Sequence, residues 1–179
     1  MTSAFSDRII VHAEGGDPWR GCLTFQGRDY PCALGKAGLT AEKREGDHKT
    51  PMGRFCLRGL LYRPDRFAAP PRTALPVRSL TPHDGWCDAP EDVNYNRPVT
   101  LPYPASAETL WRDDGLYDLI VPLGYNDDPP VPGLGSAIFL HIARPGFSGT
   151  EGCVALARDH LIELLAGLSP TTVMVIGKN

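Results

Sequence analysis

Two side chains in the segment 136–156, SAIFLHIARPGFSGTEGCVAL, have the types and spacing that acyl-transfer chemistry needs: His141, and after eleven intervening residues Cys153. A thiolate is a strong nucleophile, but a free thiol is mostly protonated at neutral pH, and an imidazole is the side chain suited to take that proton. A loop that doubles back after His141 brings thiol and imidazole together, the contact a Cys/His site requires. Gly152 allows close backbone approach there. The amides around Gly152 and Cys153 are then candidates to hold the oxyanion of a tetrahedral intermediate, where losing one donor costs about 3 kcal/mol of barrier. The bland reading stands beside this one: buried cysteines are commonly small hydrophobes and buried histidines commonly satisfied core residues.

The elements that must position the pair follow from pattern. Ala137, Ile138, Phe139, Leu140, His141 and Ile142 form a short apolar run bounded by Gly135 and by Arg144-Pro145-Gly146, which suits a buried strand. After Cys153, leucines 161, 164, 165 and 168 recur at helical spacing in 158–167, and 171–176 reads as a last strand. Upstream, 8–13 is expected as a first strand, and 21–25 with 28–34 as a hairpin turning at Gln26-Gly27. Residues 35–50 form a polar connection, followed by a turn at Pro51 and Gly53 that feeds a strand over 54–62. Pro64, Pro70, Pro71, Pro76 and Pro82 forbid regular helix and predict a stiff excursion. The stretch 85–97 reads as irregular, either lining a polar cleft or packed as a loop. A short helical turn is expected at 108–112 and a buried strand at 116–123. The acidic loop 124–128 could recognise an ammonium group or be ordinary turn chemistry.

Thr150-Glu151-Gly152-Cys153-Val154 resembles the (S/T)-H-G-C-(I/V) signature of the YkuD-type L,D-transpeptidase family, and His141 matches that family's upstream base. A second hallmark, T-P-x-G-x-F, stands at residues 50–55 as Thr50-Pro51-Met52-Gly53-Arg54-Phe55. The resemblance runs over roughly residues 8 to 176. It implies a mainly β, single-domain fold of the L,D-transpeptidase β-sandwich type over 1–179, with one or two short helices, long structured loops and a proline-rich excursion over about 64–104. It implies Cys153 as nucleophile, His141 as general base and then acid, and Gly152 with Cys153 as the oxyanion site. The substrate class implied is the tetrapeptide stem of peptidoglycan, free or as muropeptide, attacked before its terminal D-alanine. Tyr125, Asn126, Arg144, Glu151 and Lys36 are the expected substrate contacts, and Lys43 and Arg44 border the same cleft. Departures from the pattern are Glu151 where the family usually has histidine, Ala155 where it has arginine or asparagine, and a short loop between histidine and cysteine.

Composition excludes several alternatives. A chain of 179 residues with 42% hydrophobic content and a formal charge of -3 is an ordinary globular protein without the basic field that nucleic acid requires. Its 19 glycines and 18 prolines favour short strands and structured turns over helices. The cysteines at 22, 32, 56, 87 and 153 are scattered, with neither metal spacing nor a disulfide framework, so no metal or cofactor is expected. No segment is long and apolar enough to span a bilayer, and MTSAFSDRIIVHAEGG lacks a signal peptide's basic start and apolar run, which predicts a cytoplasmic monomer if Met1 is the native start and a periplasmic one otherwise. Hydrolysis by water, an L,D-carboxypeptidase activity, is favoured over transfer to a second stem. The rivals are a non-catalytic module that binds wall fragments and a cysteine peptidase acting on ordinary peptides.

Overall fold

The computed structural model describes residues 7–177, so the start at Met1, on which the expected compartment leans, lies outside the described residues. Strand β1 (Arg8–Ala13) is followed by the hairpin β2 (Arg20–Phe25) and β3 (Arg28–Ala33). Two short parallel strands, β4 (Leu39–Thr40) and β5 (Thr50–Pro51), close the polar connection on itself. The strand expected over 54–62 is two strands, β6 (Gly53–Cys56) and β7 (Leu60–Tyr62). Gly59 lies between them at φ +146°, and a Cβ there would stand 2.9 Å from the Pro76 carbonyl oxygen, so the chain turns where only glycine fits.

Beyond β8 (Val77–Ser79), the stretch 85–97 expected to be irregular begins within β9 (Asp84–Cys87) and is followed by β10 (Pro98–Thr100), and the expected helical turn at 108–112 is instead β11 (Ala107–Thr109) followed by bends. These three strands make a small sheet in the order β10-β9-β11. Strands this short carry no legible alternation; antiparallel pairing such as Glu108 opposite Trp86 creates them. The remaining elements are β12 (Leu119–Pro122), β13 (Phe139–Ile142), β14 (Val154–Leu156), α1 (Arg158–Gly167) and β15 (Val173–Gly177).

The main sheet has ten strands in the order β6-β15-β1-β2-β3-β14-β13-β12-β7-β8. Strands β6 and β7 stand near opposite ends of that order, yet only residues 57–59 join them, a span of at most about 14 Å. The sheet must therefore curl until its ends meet. Leu57 bridges Leu123, and Arg58 and Gly124 exchange backbone bonds with Pro122 and Cys56 across the junction. The enclosed core includes Ile9, Val11, Leu23, Leu60, Leu119, Leu140 and Met174, and α1 contributes Leu161, Leu164 and Leu165 to it. The chain is mainly β, and α1 is the one α-helix among the described residues, covering the span that its leucine spacing predicts.

Candidate active site

Register decides what faces what. In the parallel pair β13 and β14, Leu140 stands opposite Val154, His141 opposite Ala155 and Ile142 opposite Leu156. Leu140, Ile142, Val154 and Leu156 point into the main core. Alternation sends Phe139, His141, Cys153 and Ala155 to the other face. There Phe139 and Cys153 join a second apolar cluster with Leu110, Leu116, Tyr117 and Ile120, and His141, Cys153 and Ala155 border a cleft of about 450 Å³.

Both candidate catalytic groups are buried and neutral. Desolvation pushes the Cys153 thiol up to about 12, the negative charge of Glu108 adding to it, and pushes the His141 imidazole down to about 4. His141 Nδ1 lies 2.8 Å from the Ile142 carbonyl oxygen; a carbonyl only accepts, so Nδ1 carries the proton and Nε2 keeps the lone pair. The thiol donates to the Ala137 carbonyl at 3.2 Å and accepts from the Phe139 amide at 3.3 Å.

The two glycine roles expected at 152 separate. Gly152 adopts φ +142°, and a Cβ there would approach the Lys49 carbonyl oxygen to 2.9 Å, so close approach does require glycine. Its amide, however, donates to Thr150 Oγ1 at 3.1 Å, while that hydroxyl donates to the Cys153 carbonyl at 2.7 Å. An amide held inside its own loop is not aimed at a substrate, which shifts the candidate oxyanion donor to the Cys153 amide.

Of the expected substrate contacts, Lys36, Arg144 and Glu151 line the cleft. Glu151 bridges Lys36 Nζ and His48 Nδ1, and the Lys36 bond, then the histidine, holds its carboxyl below the usual range. Tyr125 and Asn126 do not line it. The Tyr125 hydroxyl donates to the Leu134 carbonyl and its ring packs edge-on against Phe55; the Asn126 amide bonds the carbonyls of Val131 and Gly135 and accepts from the Val131 amide. Both side chains hold the loop leading to β13.

Several residues in or behind the cleft have roles that sequence reasoning does not assign. Glu108 of β11 accepts from the Tyr117 hydroxyl at 2.5 Å, and the Tyr117 ring stands edge-on to His141 with centroids 5.1 Å apart. Burial raises the Glu108 carboxyl despite that bond. Asn96, buried, accepts from Trp86 Nε1 and from the Ala137 amide and donates to the carbonyls of Tyr125 and Asn126. All four of its hydrogen-bonding positions are filled, and one of them secures Ala137 at φ +53°, the turn whose carbonyl receives the thiol. The 85–97 stretch is thus packed rather than cleft-lining at Tyr95 and Asn96. The sequence signal for these roles is only their polarity within an otherwise apolar neighbourhood. Among the described residues no three His, Cys, Asp or Glu side chains converge as a metal requires, and no helix is long and apolar enough to cross a membrane.

The family model of the L,D-transpeptidase catalytic domain, YkuD, matches residues 23–176. No curated protein and no solved structure matches the chain significantly.

Proposed function

The chain belongs to the L,D-transpeptidase catalytic-domain family, YkuD, and we propose on that footing that it is a cysteine acyl-transfer enzyme acting on peptidoglycan tetrapeptide stems, with water as the favoured acceptor. The observation that carries this reading is the neutral pair on one cleft: a thiol, and an imidazole whose Nδ1 proton is tied to Ile142, leaving Nε2 as the base.

The reaction begins as Cys153 turns its S–H from the Ala137 carbonyl to His141 Nε2. A thiolate–imidazolium pair is unfavourable in so dry a site, since burial shifts both groups against charge. Proton transfer therefore accompanies attack, and the charge passes to the carbonyl oxygen of the third stem residue, where the Cys153 amide donates to it. The tetrahedral intermediate collapses as imidazolium gives its proton to the departing D-alanine amine, leaving a thioester. Water then attacks that thioester with His141 again as base, releasing tripeptide acid and restoring the thiol.

Water is favoured because the flank of the nucleophile offers little to grip an amine acceptor. Glu151 is bound to Lys36 and His48, and Ala155 presents only a methyl group to the cleft. Without positioning, an amine loses its proximity advantage over abundant water.

Mass spectrometry of tetrapeptide muropeptide incubated with the enzyme tests the reading. Tripeptide and free D-alanine are expected, with little dimer. Dominant dimers joined through two diamino acids would replace hydrolysis with transpeptidation. Unchanged substrate would leave the non-catalytic binding module as the better reading, and cleavage of casein-like L-peptides would favour an ordinary peptidase.

A further inference from the structure

Lys43 is a buried cation on the cleft for which the proton transfers above have no use. It is 6% exposed, a rare state for lysine without a specific partner. Its Nζ donates to Asp47 Oδ1 and to the Arg44 carbonyl, two acceptors for three N–H donors. Asp47 is itself occupied: although burial opposes it, the Lys43 ammonium and the amides of Arg44 and Lys49 hold its carboxyl below the ordinary range. The pair is oriented, because Lys43 lines the cleft and Asp47 is not among the residues that do.

The lysine stem runs beside two glycines in the left-handed half of backbone space, of which Gly135 leaves it room that a side chain would take. A Cβ on Gly135 (φ +103°) would approach Lys43 Cγ to 3.0 Å, and one on Gly152 (φ +142°) would lie 3.6 Å from Lys43 Cε. The ammonium is thereby seated against the residue that precedes Cys153. The thiol feels opposed charges: the carboxylates of Glu108 and Glu151 raise it and the Lys43 ammonium lowers it. A third anchor stiffens the same loop, since Glu45 accepts from Tyr95 and Ser136 and its amide donates to the Gly133 carbonyl.

We infer that Lys43 is an anion subsite beside Cys153, which takes a carboxylate of the substrate through its third N–H. This rests on Cys153 being the nucleophile; on the acyl-transfer reading, the carboxylate of the leaving D-alanine is the anion nearest the bond that breaks. A cation fixed there orients the leaving residue and selects substrates ending in a free acid.

Alkylation of Cys153 by iodoacetate and by iodoacetamide isolates charge from size. The rate ratio of the two, read at Cys153 by peptide mass spectrometry and normalised to the ratio for glutathione, is expected to favour the anion by about tenfold or more and to fall as salt is added. Lys43→Arg keeps the preference. Lys43→Met with Asp47→Asn, which removes both charges of the pair together, brings the ratio to that of glutathione while the thermal melt stays cooperative. A wild-type ratio equal to glutathione's, or a preference surviving in the double variant, overturns the inference alone. Failure of both reagents to reach Cys153 overturns it together with the nucleophile assignment.

Discussion

On one face of β13 and β14, Leu140, Ile142, Val154 and Leu156 are sealed in the main core beneath the leucines of α1; on the other, Phe139, His141, Cys153 and Ala155 meet a cleft walled by Glu108, Tyr117 and Lys43. The two faces share a backbone and differ in what burial does. On the core face, removing apolar surface from water stabilises the fold. On the cleft face, the same dryness works against two titratable groups, shifting the imidazole down and the thiol up. One pair of four- and three-residue strands thus carries scaffold and the candidate site at once, because the strand period of two keeps them apart. On the proposed mechanism the cleft face gives up stability for reactivity, and the core face holds the geometry.

Substitutions on the two faces should have separable effects. The largest is expected for Cys153→Ala, which abolishes D-alanine release while leaving the melting temperature within a few degrees of wild type, since the change in volume is small; a variant retaining a tenth of the activity would place the nucleophile elsewhere. His141→Gln is expected to slow acylation about a hundredfold or more, the scale of a positioned acid/base group, measured by single-turnover formation of the thioester. His160→Ala serves as the contrast: that ring stacks edge-on against Tyr30, away from the cleft, and should leave the rate unchanged.

On the core face, Leu164→Ala should cost about 2–5 kcal/mol in urea unfolding and leave the rate of Cys153 alkylation untouched under native conditions. If alkylation changes in parallel with stability, the two faces are not independent.

The pH dependence of stability sharpens the same contrast. His141 has a folded value near 4 against an ordinary 6.5, so the unfolded chain binds the proton more readily. Stability is full above 6.5 and falls as pH drops from 6.5 toward 4, by roughly 2–3 kcal/mol at pH 4.5. Urea unfolding of wild type and His141→Gln at pH 7 and 4.5 should show that loss in the wild type only. The smallest expected effect belongs to Glu108→Gln: removing a negative charge that raises the thiol should increase iodoacetamide alkylation of Cys153 at pH 8 by a few-fold, and a slower rate would contradict the electrostatic account.

The sequence by itself determined the elements whose patterns are strong and local. The span of β1, the hairpin of β2 and β3, the helix α1 and the apolar strand carrying His141 are legible because each repeats its period without needing a distant partner. The placing of His141 and Cys153 on one cleft is legible too, since the spacing of a strand and a returning loop constrains it, and the resemblance at residues 50–55 and 150–154 pointed to the family that the match over 23–176 establishes. Only the tertiary structure decided the rest. Strands β9, β10 and β11 are made by pairing between residues ten or more apart, so no local pattern announces them. Tyr125 and Asn126 look like recognition residues until the carbonyls that occupy them are seen, and the Gly152 amide looks free until Thr150 claims it. Lys43 is one of several lysines in a polar stretch until Gly135, more than ninety residues away, leaves the room that its stem fills. Hydrogen-bond partners and burial are properties of the closed sheet, and they decide which polar side chains hold the loops and which remain to meet a substrate.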